Sequence, residues 1–118
     1  MIYLMRNARA ALLCGVPTMR MVSEGTPDNP IDAYAKVGID AGTSRGPRII
    51  DGGTGITPTG GHGSPQIWTD STDALRARVR QDFHPGAQWM KILLIDSGPT
   101  STIYSDEELR AGVEEAHR

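Results

Sequence analysis

An α/β chain built on parallel strands is predicted by three observations. Helix-like and strand-like segments alternate along the whole chain, the links between them are mostly short, and the run Trp89 to Ile95 is almost wholly apolar. A strand that is apolar on both sides is covered on both faces, the habit of parallel sheets flanked by helices. Strict alternation with short links then implies right-handed crossovers between parallel strands.

The elements follow in order. Over residues 2–13, Ile2, Met5, Arg9 and Leu12 recur near one another with Leu4, Ala8 and Ala11 beside them, a stripe at helical period. Gly15 closes this helix where a positive φ is cheap. Cys14, just before it, reads as a small packed residue rather than a nucleophile. Val16 to Val22 reads as a short strand that tolerates Pro17 near its start. Residues 23–29 are turn formers. Asn29 as cap and Pro30 in the first turn open a helix to about Ala41, weakened by Gly38. Pro47 to Ile50 is a very short strand.

Residues 52–70 form a long glycine-rich loop. A loop of that length is uncommon in a compact domain unless it is functional or disordered. Ser71 caps the next helix, with Leu75, Val79 and Phe83 spaced by four. After the strand Trp89–Ile95, Ser105 with Glu108 three residues on is a capping box. It opens a last helix with Leu109, Val113 and Ala116 inward. The predicted order is α-β-α-β-α-β-α in one domain over residues 1–118.

Composition excludes several classes. The 118 residues are 38% apolar and 22% charged, with a formal net charge of −2. Lys and Arg are scattered, so there is no basic stripe for a nucleic acid. No segment reaches the roughly 18 apolar residues of a membrane span. Arg6 and Arg9 interrupt the first apolar stretch, which argues against a signal peptide. One cysteine cannot make an internal disulfide framework. These features together point to a cytoplasmic protein. The chain opens directly in helical periodicity and ends on a charged helix, as an internal piece of a larger protein would.

In a parallel α/β protein the loops after the strands line the active face. Lys91 stands in the middle of the most apolar strand, where a buried lysine calls for a partner or a role. Alternation sets Trp89, Lys91, Leu93 and Ile95 on one side, and Met90, Ile92 and Leu94 on the other. Desolvation would make such an amine a nucleophile, a base, or the precursor of an anionic carbamate. The alternative is an amine at a strand end that reaches solvent. His62 is flanked by glycines in Thr59-Gly60-Gly61-His62-Gly63, so backbone and imidazole can both approach a ligand. The alternative there is an incidental histidine on a surface loop. No Gly-Lys-Ser/Thr follows, so this is no phosphate loop.

Four stretches carry a family resemblance: RAALLCGVPTMRMV, GPRIIDGGTGITPTGGHG, GAQWMKILLIDSG and SDEELRAGVEEAHR. Together, over roughly residues 8–118, they resemble the amidohydrolase superfamily, in its imidazolonepropionase-like and prolidase-like branch. The resemblance implies a partial (β/α)8 TIM barrel whose three strands are the second to fourth of eight. It implies a metal-dependent hydrolase of amide or peptide C–N bonds. In binuclear members the fourth-strand lysine is carboxylated and bridges two zinc ions, a role that falls on Lys91. His62, with Gly60, Gly61 and Gly63, falls beside the substrate.

The chain also departs from the pattern. Met21 stands for the usual Asp, Asp96-Ser97-Gly98 for a TGG triplet, and His84-Pro85 for a small or charged pair. The first-strand His-x-His pair would precede Met1, and the later histidines and aspartate would follow Arg118. The expectation is therefore a hydrolase part, inactive alone, that takes a small amide or peptide substrate. It is also expected either to be poorly soluble or to self-associate through exposed sheet edges. Two other roles fit the same residues: a small α/β binding module, or a subunit completing a split barrel.

Overall fold

The computed structural model describes residues 2–22, 25–26, 28–62, 68–83, 86–94 and 103–118. Its elements run α1 (Ile2–Leu13), β1 (Thr18–Arg20), α2 (Ile31–Asp40), β2 (Arg48–Ile50), α3 (Thr72–Phe83) and α4 (Asp106–Ala116). Strands β1 and β2 pair in parallel, Thr18 with Arg48, Met19 with Ile49 and Arg20 with Ile50. A third parallel track continues the sheet beyond β2. Gln88 N–H donates to the Asp51 carbonyl at 2.9 Å, and Ile56 forms a parallel bridge with Ile92. The predicted α/β, partial-barrel class is thus the observed one.

The third track is less regular than its apolar sequence predicts. Between Asp51 and Ile56 the chain runs through Gly52, Gly53, Thr54 and Gly55, and Gly53 takes φ +63°. A left-handed residue breaks the extended backbone, so the opposite strand has no continuous ladder to join. Among the described residues of this track only Ile92 is bridged, through Ile56 N–H to the Lys91 carbonyl and Leu93 N–H to the Ile56 carbonyl, both 2.8 Å.

Helix ends follow the sequence where side chains do the capping. Ser105 accepts from Glu108 N–H, and the Glu108 carboxylate accepts from Ser105 N–H at 2.9 Å, so both arms of the capping box are made. Ser71 Oγ accepts from Ala74 N–H at 3.1 Å. At α2 the expectation is corrected: Pro30, not Asn29, is the capping residue, and no side chain bonds the helix end. Asn29 instead exchanges backbone hydrogen bonds with Thr26.

Two apolar clusters hold the helices to one side of the sheet. Met21, Ala35 and Ile49 form the first, with Leu4, Met5, Met19 and Ile39 packed on it. Ile56, Leu75, Val79 and Tyr104 form the second, with Phe83, Met90, Ile92, Leu109 and Ala116 around them. Four expectations of burial fail: Leu94, in the run expected to be covered on both faces, is 54% exposed, and three more follow. Ile2 is 83% exposed. Cys14 is exposed beyond the last turn of α1. Val113 faces solvent, because α4 turns Ala111, Gly112 and Glu115 toward α3. The reason is close contact: a Cβ at Gly112 would lie 2.8 Å from a Leu75 methyl. Among the described residues no helix is long and apolar enough to cross a membrane.

Candidate functional site

The alternation of the third track assigns its sides. Met90 and Ile92 pack into the second cluster on the helix side of the sheet. Trp89 meets Arg20 on the other side, and Lys91, between Met90 and Ile92, follows it there by alternation; neither apolar cluster of the described residues includes that side. The same logic applies to the neighbours: Met19, Met21 and Ile49 lie in the first cluster, so Arg20, Arg48 and Ile50 face away from it. Lys91 is half-buried.

Arg20 and Trp89 tie this face together across β2. The Arg20 guanidinium lies 4.5 Å from the Trp89 ring centroid, in cation–π geometry. The indole in turn lies over Gly52, where a Cβ would come within 2.8 Å of two ring carbons. Arg20, Arg48 and Lys91 give the face three cations, and none of them pairs with a carboxylate among the described residues. A face of this charge suits an anionic group.

His62 lies beyond the bridged residues Ile56 and Thr57 and is exposed. Gly60 is also exposed and Gly61 is half-buried. Lys91 is joined to Ile56 through its own carbonyl, so the two candidate residues stand on neighbouring tracks. No hydrogen bond connects their side chains among the described residues. Gly63, His84 and Asp96–Gly98 lie outside the described residues.

Sequence reasoning missed a buried polar group on the helix side. Asp82 accepts from the Thr54 hydroxyl and from the Arg78 guanidinium, both at 2.7 Å. Asp51 accepts from Gly53 N–H at 2.9 Å and is buried beside them. Burial pushes the Asp82 carboxyl up, against the pull of Thr54 and Arg78, and the Asp51 charge adds to the rise. Burial likewise lowers the Arg78 guanidinium, opposed by Asp82. The spacing of Arg78 and Asp82, four apart on a helix, was the signal in the sequence. These carboxylates serve β2 and α3, not the open face.

The resemblance implies a metal pair, and such a pair needs several donor side chains brought together. Among the described residues no group of three or more His, Cys, Asp or Glu side chains is placed to hold a metal ion. Asp51 accepts from Gly53, and Asp82 Oδ1 accepts from Thr54 and Arg78, while Asp82 Oδ2 is buried with no further donor beside it among the described residues. The described residues alone do not fit a zinc pair.

No family model matches this sequence, and no curated protein matches it in sequence. Solved structures do match in fold. One titled as a putative prolidase from Bifidobacterium longum is 29% identical, with a TM-score of 0.76, over 98% of this chain and 30% of its own. An amidohydrolase structure is 26% identical with a TM-score of 0.77, over 96% of this chain and 33% of its own. A Xaa-Pro dipeptidase with methionine bound in its active site superposes with a TM-score of 0.85 at 24% identity, over 95% of this chain. The chain spans about a third of the length of the structures it matches.

Proposed function

We propose that this chain, which is part of an amidohydrolase-like fold, supplies one wall of the active site of a hydrolase acting on amide or peptide C–N bonds. The observation that carries the reading is the placement of Lys91. It is a half-buried amine next to the Ile56–Ile92 bridge, one track away from the glycine-rich turn that leads to His62, and on this reading it faces away from the helices.

The cationic face of Arg20, Arg48 and Lys91 draws in a substrate that carries a carboxylate, as a dipeptide does. His62 donates a hydrogen bond to that carboxylate or to the carbonyl under attack, and Gly60, Gly61 and Gly63 let the backbone come close to it. Activation of water and polarisation of the carbonyl are the work of a metal centre in hydrolases of this kind. Lys91 is the proposed ligand on this wall. The described residues do not complete such a centre, so no step is drawn through it, and the chain alone is expected not to turn over. The open face and the free edges of the outer tracks are expected to drive self-association, visible as concentration-dependent mass in sedimentation.

Replacing the corresponding third of the putative prolidase from Bifidobacterium longum, once that host is shown to cleave Xaa-Pro dipeptides, with this chain tests the reading. The graft, supplied with zinc, is expected to hydrolyse Xaa-Pro dipeptides and to lose that activity to background in Lys91→Met. A folded, metal-loaded graft that hydrolyses none of them, or one indifferent to Lys91→Met, would sink it.

A further inference from the structure

His62 follows directly on a tight turn, Pro58-Thr59-Gly60-Gly61. Gly61 N–H donates to the Pro58 carbonyl at 2.9 Å, and Gly60 takes φ +78°, as the third residue of a type II turn must. The turn is also sterically closed. A Cβ at Gly61 would lie 2.5 Å from Thr57 Oγ1 and 3.0 Å from the Pro58 carbonyl oxygen.

One carboxylate grips this turn from outside. Asp70 Oδ1 accepts from Thr59 N–H at 2.8 Å, and Asp70 Oδ2 accepts from the Thr59 hydroxyl at 2.5 Å. Thr59 is the second residue of the turn, so both bonds fall where the chain changes direction. The grip is anchored behind. Thr69 N–H donates to the Thr57 carbonyl at 3.0 Å, and the Thr69 hydroxyl bonds the Tyr104 hydroxyl. Tyr104 belongs to the second apolar cluster, and burial pushes its phenol up to about 12, so it stays protonated.

We propose that Asp70 is a positioning residue, which by holding Thr59 through backbone and side chain fixes the turn from which His62 projects toward the substrate. The aim of His62 is then set at the foot of α3. This rests on the reading of His62 as a substrate-binding group, whereas the grip on the turn can be measured without substrate.

Hydrogen exchange on the full chain is the first test. Asp70→Ala is expected to speed exchange at Thr59, Gly61 and His62 by about tenfold while α1, β1 and β2 keep their rates. Asp70→Asn keeps an acceptor for Thr59 N–H and offers a donor to its hydroxyl, so it stays within about twofold of the parent. Unchanged exchange in Asp70→Ala, or acceleration through the whole chain with no rescue by Asp70→Asn, overturns the proposal. Should Asp70→Ala not fold, Thr59→Val removes the hydroxyl bond alone. It is expected to speed the same amides by about threefold, and no change there overturns the proposal equally.

In the grafted barrel, Asp70→Ala is expected to raise KM for the dipeptide about tenfold with kcat within about twofold, since aim at a bound substrate is uniform binding. A fall in kcat at constant KM overturns it. A parent graft without activity counts against the hydrolase reading alone, because the exchange rates decide the grip separately.

Discussion

The cluster of Met21, Ala35 and Ile49 is filled from its edges by Leu4, Met5, Met19 and Ile39, whereas the cluster of Ile56, Leu75, Val79 and Tyr104, besides its apolar surround of Phe83, Met90, Ile92, Leu109 and Ala116, is bordered by buried charge. Arg78 and Asp82 make an ion pair with side chains only 7% and 5% exposed. On the facing helix Glu115, also 5% exposed, accepts from Arg80 at 2.6 Å and pairs with Arg76 and Arg118 at 3.5 Å. A methionine-filled cluster can repack around a changed neighbour. A fenced one depends on every charge keeping its partner. The half that carries the glycine turn and Lys91 thus has buried ion pairs that tie its stability to pH.

The sharpest way to break this contrast is Arg78→Met. It leaves Asp82 buried without its cation, and the expected cost is about 3–5 kcal/mol in urea unfolding, much of it recovered by adding Asp82→Leu. A loss no larger than that of a surface substitution would show that the fence carries no weight.

Acid gives a smaller effect of known sign. Arg80 above all holds the Glu115 carboxyl down to about 2, with Arg118 and Arg76 helping against its desolvation. A lowered pKa means stability that is whole above the ordinary value of 4.5 and lost as pH falls toward about 2. Asp82 runs the other way: its raised pKa means that protonation relieves the cost of burial as pH falls. Unfolding midpoints measured down this range should fall in the parent and fall less in Glu115→Gln. Equal slopes would remove Glu115 from the account.

The smallest effect belongs to the other cluster. Met19→Leu is expected to change stability by less than about 1.5 kcal/mol, because the swap conserves volume in an adaptable surround. A larger calorimetric loss would mean that the first cluster is as exacting as the second.

Much of this fold was legible from spacing. The bounds of α1 and α3 follow from periodicity and from Gly15 and Ser71, and the capping box at Ser105 and Glu108 is made as written. What local pattern could not supply was decided by partners distant in sequence. Val113 lies on the apolar stripe of α4, yet Glu115 turns inward because Arg76 and Arg80 await it on α3. The third track shrinks because the glycines opposite it break the ladder. For the candidate site, Lys91 and His62 stood out by composition. Asp70 did not, since an aspartate before a helix reads as ordinary loop until Thr59, eleven residues earlier, is seen against it.

The stacking of Arg20 on Trp89 has an optical consequence. The chain has two tryptophans, and the fold has put them in unlike settings. Trp89 is pinned between a guanidinium and a glycine backbone, so its emission reads whether the outer tracks still lean on each other across β2. Trp68, 46% exposed where the long loop rejoins Thr57, reads the loop neck. Replacing either indole with phenylalanine isolates the signal of the other, so loosening of the loop and opening of the sheet can be timed separately without an added label.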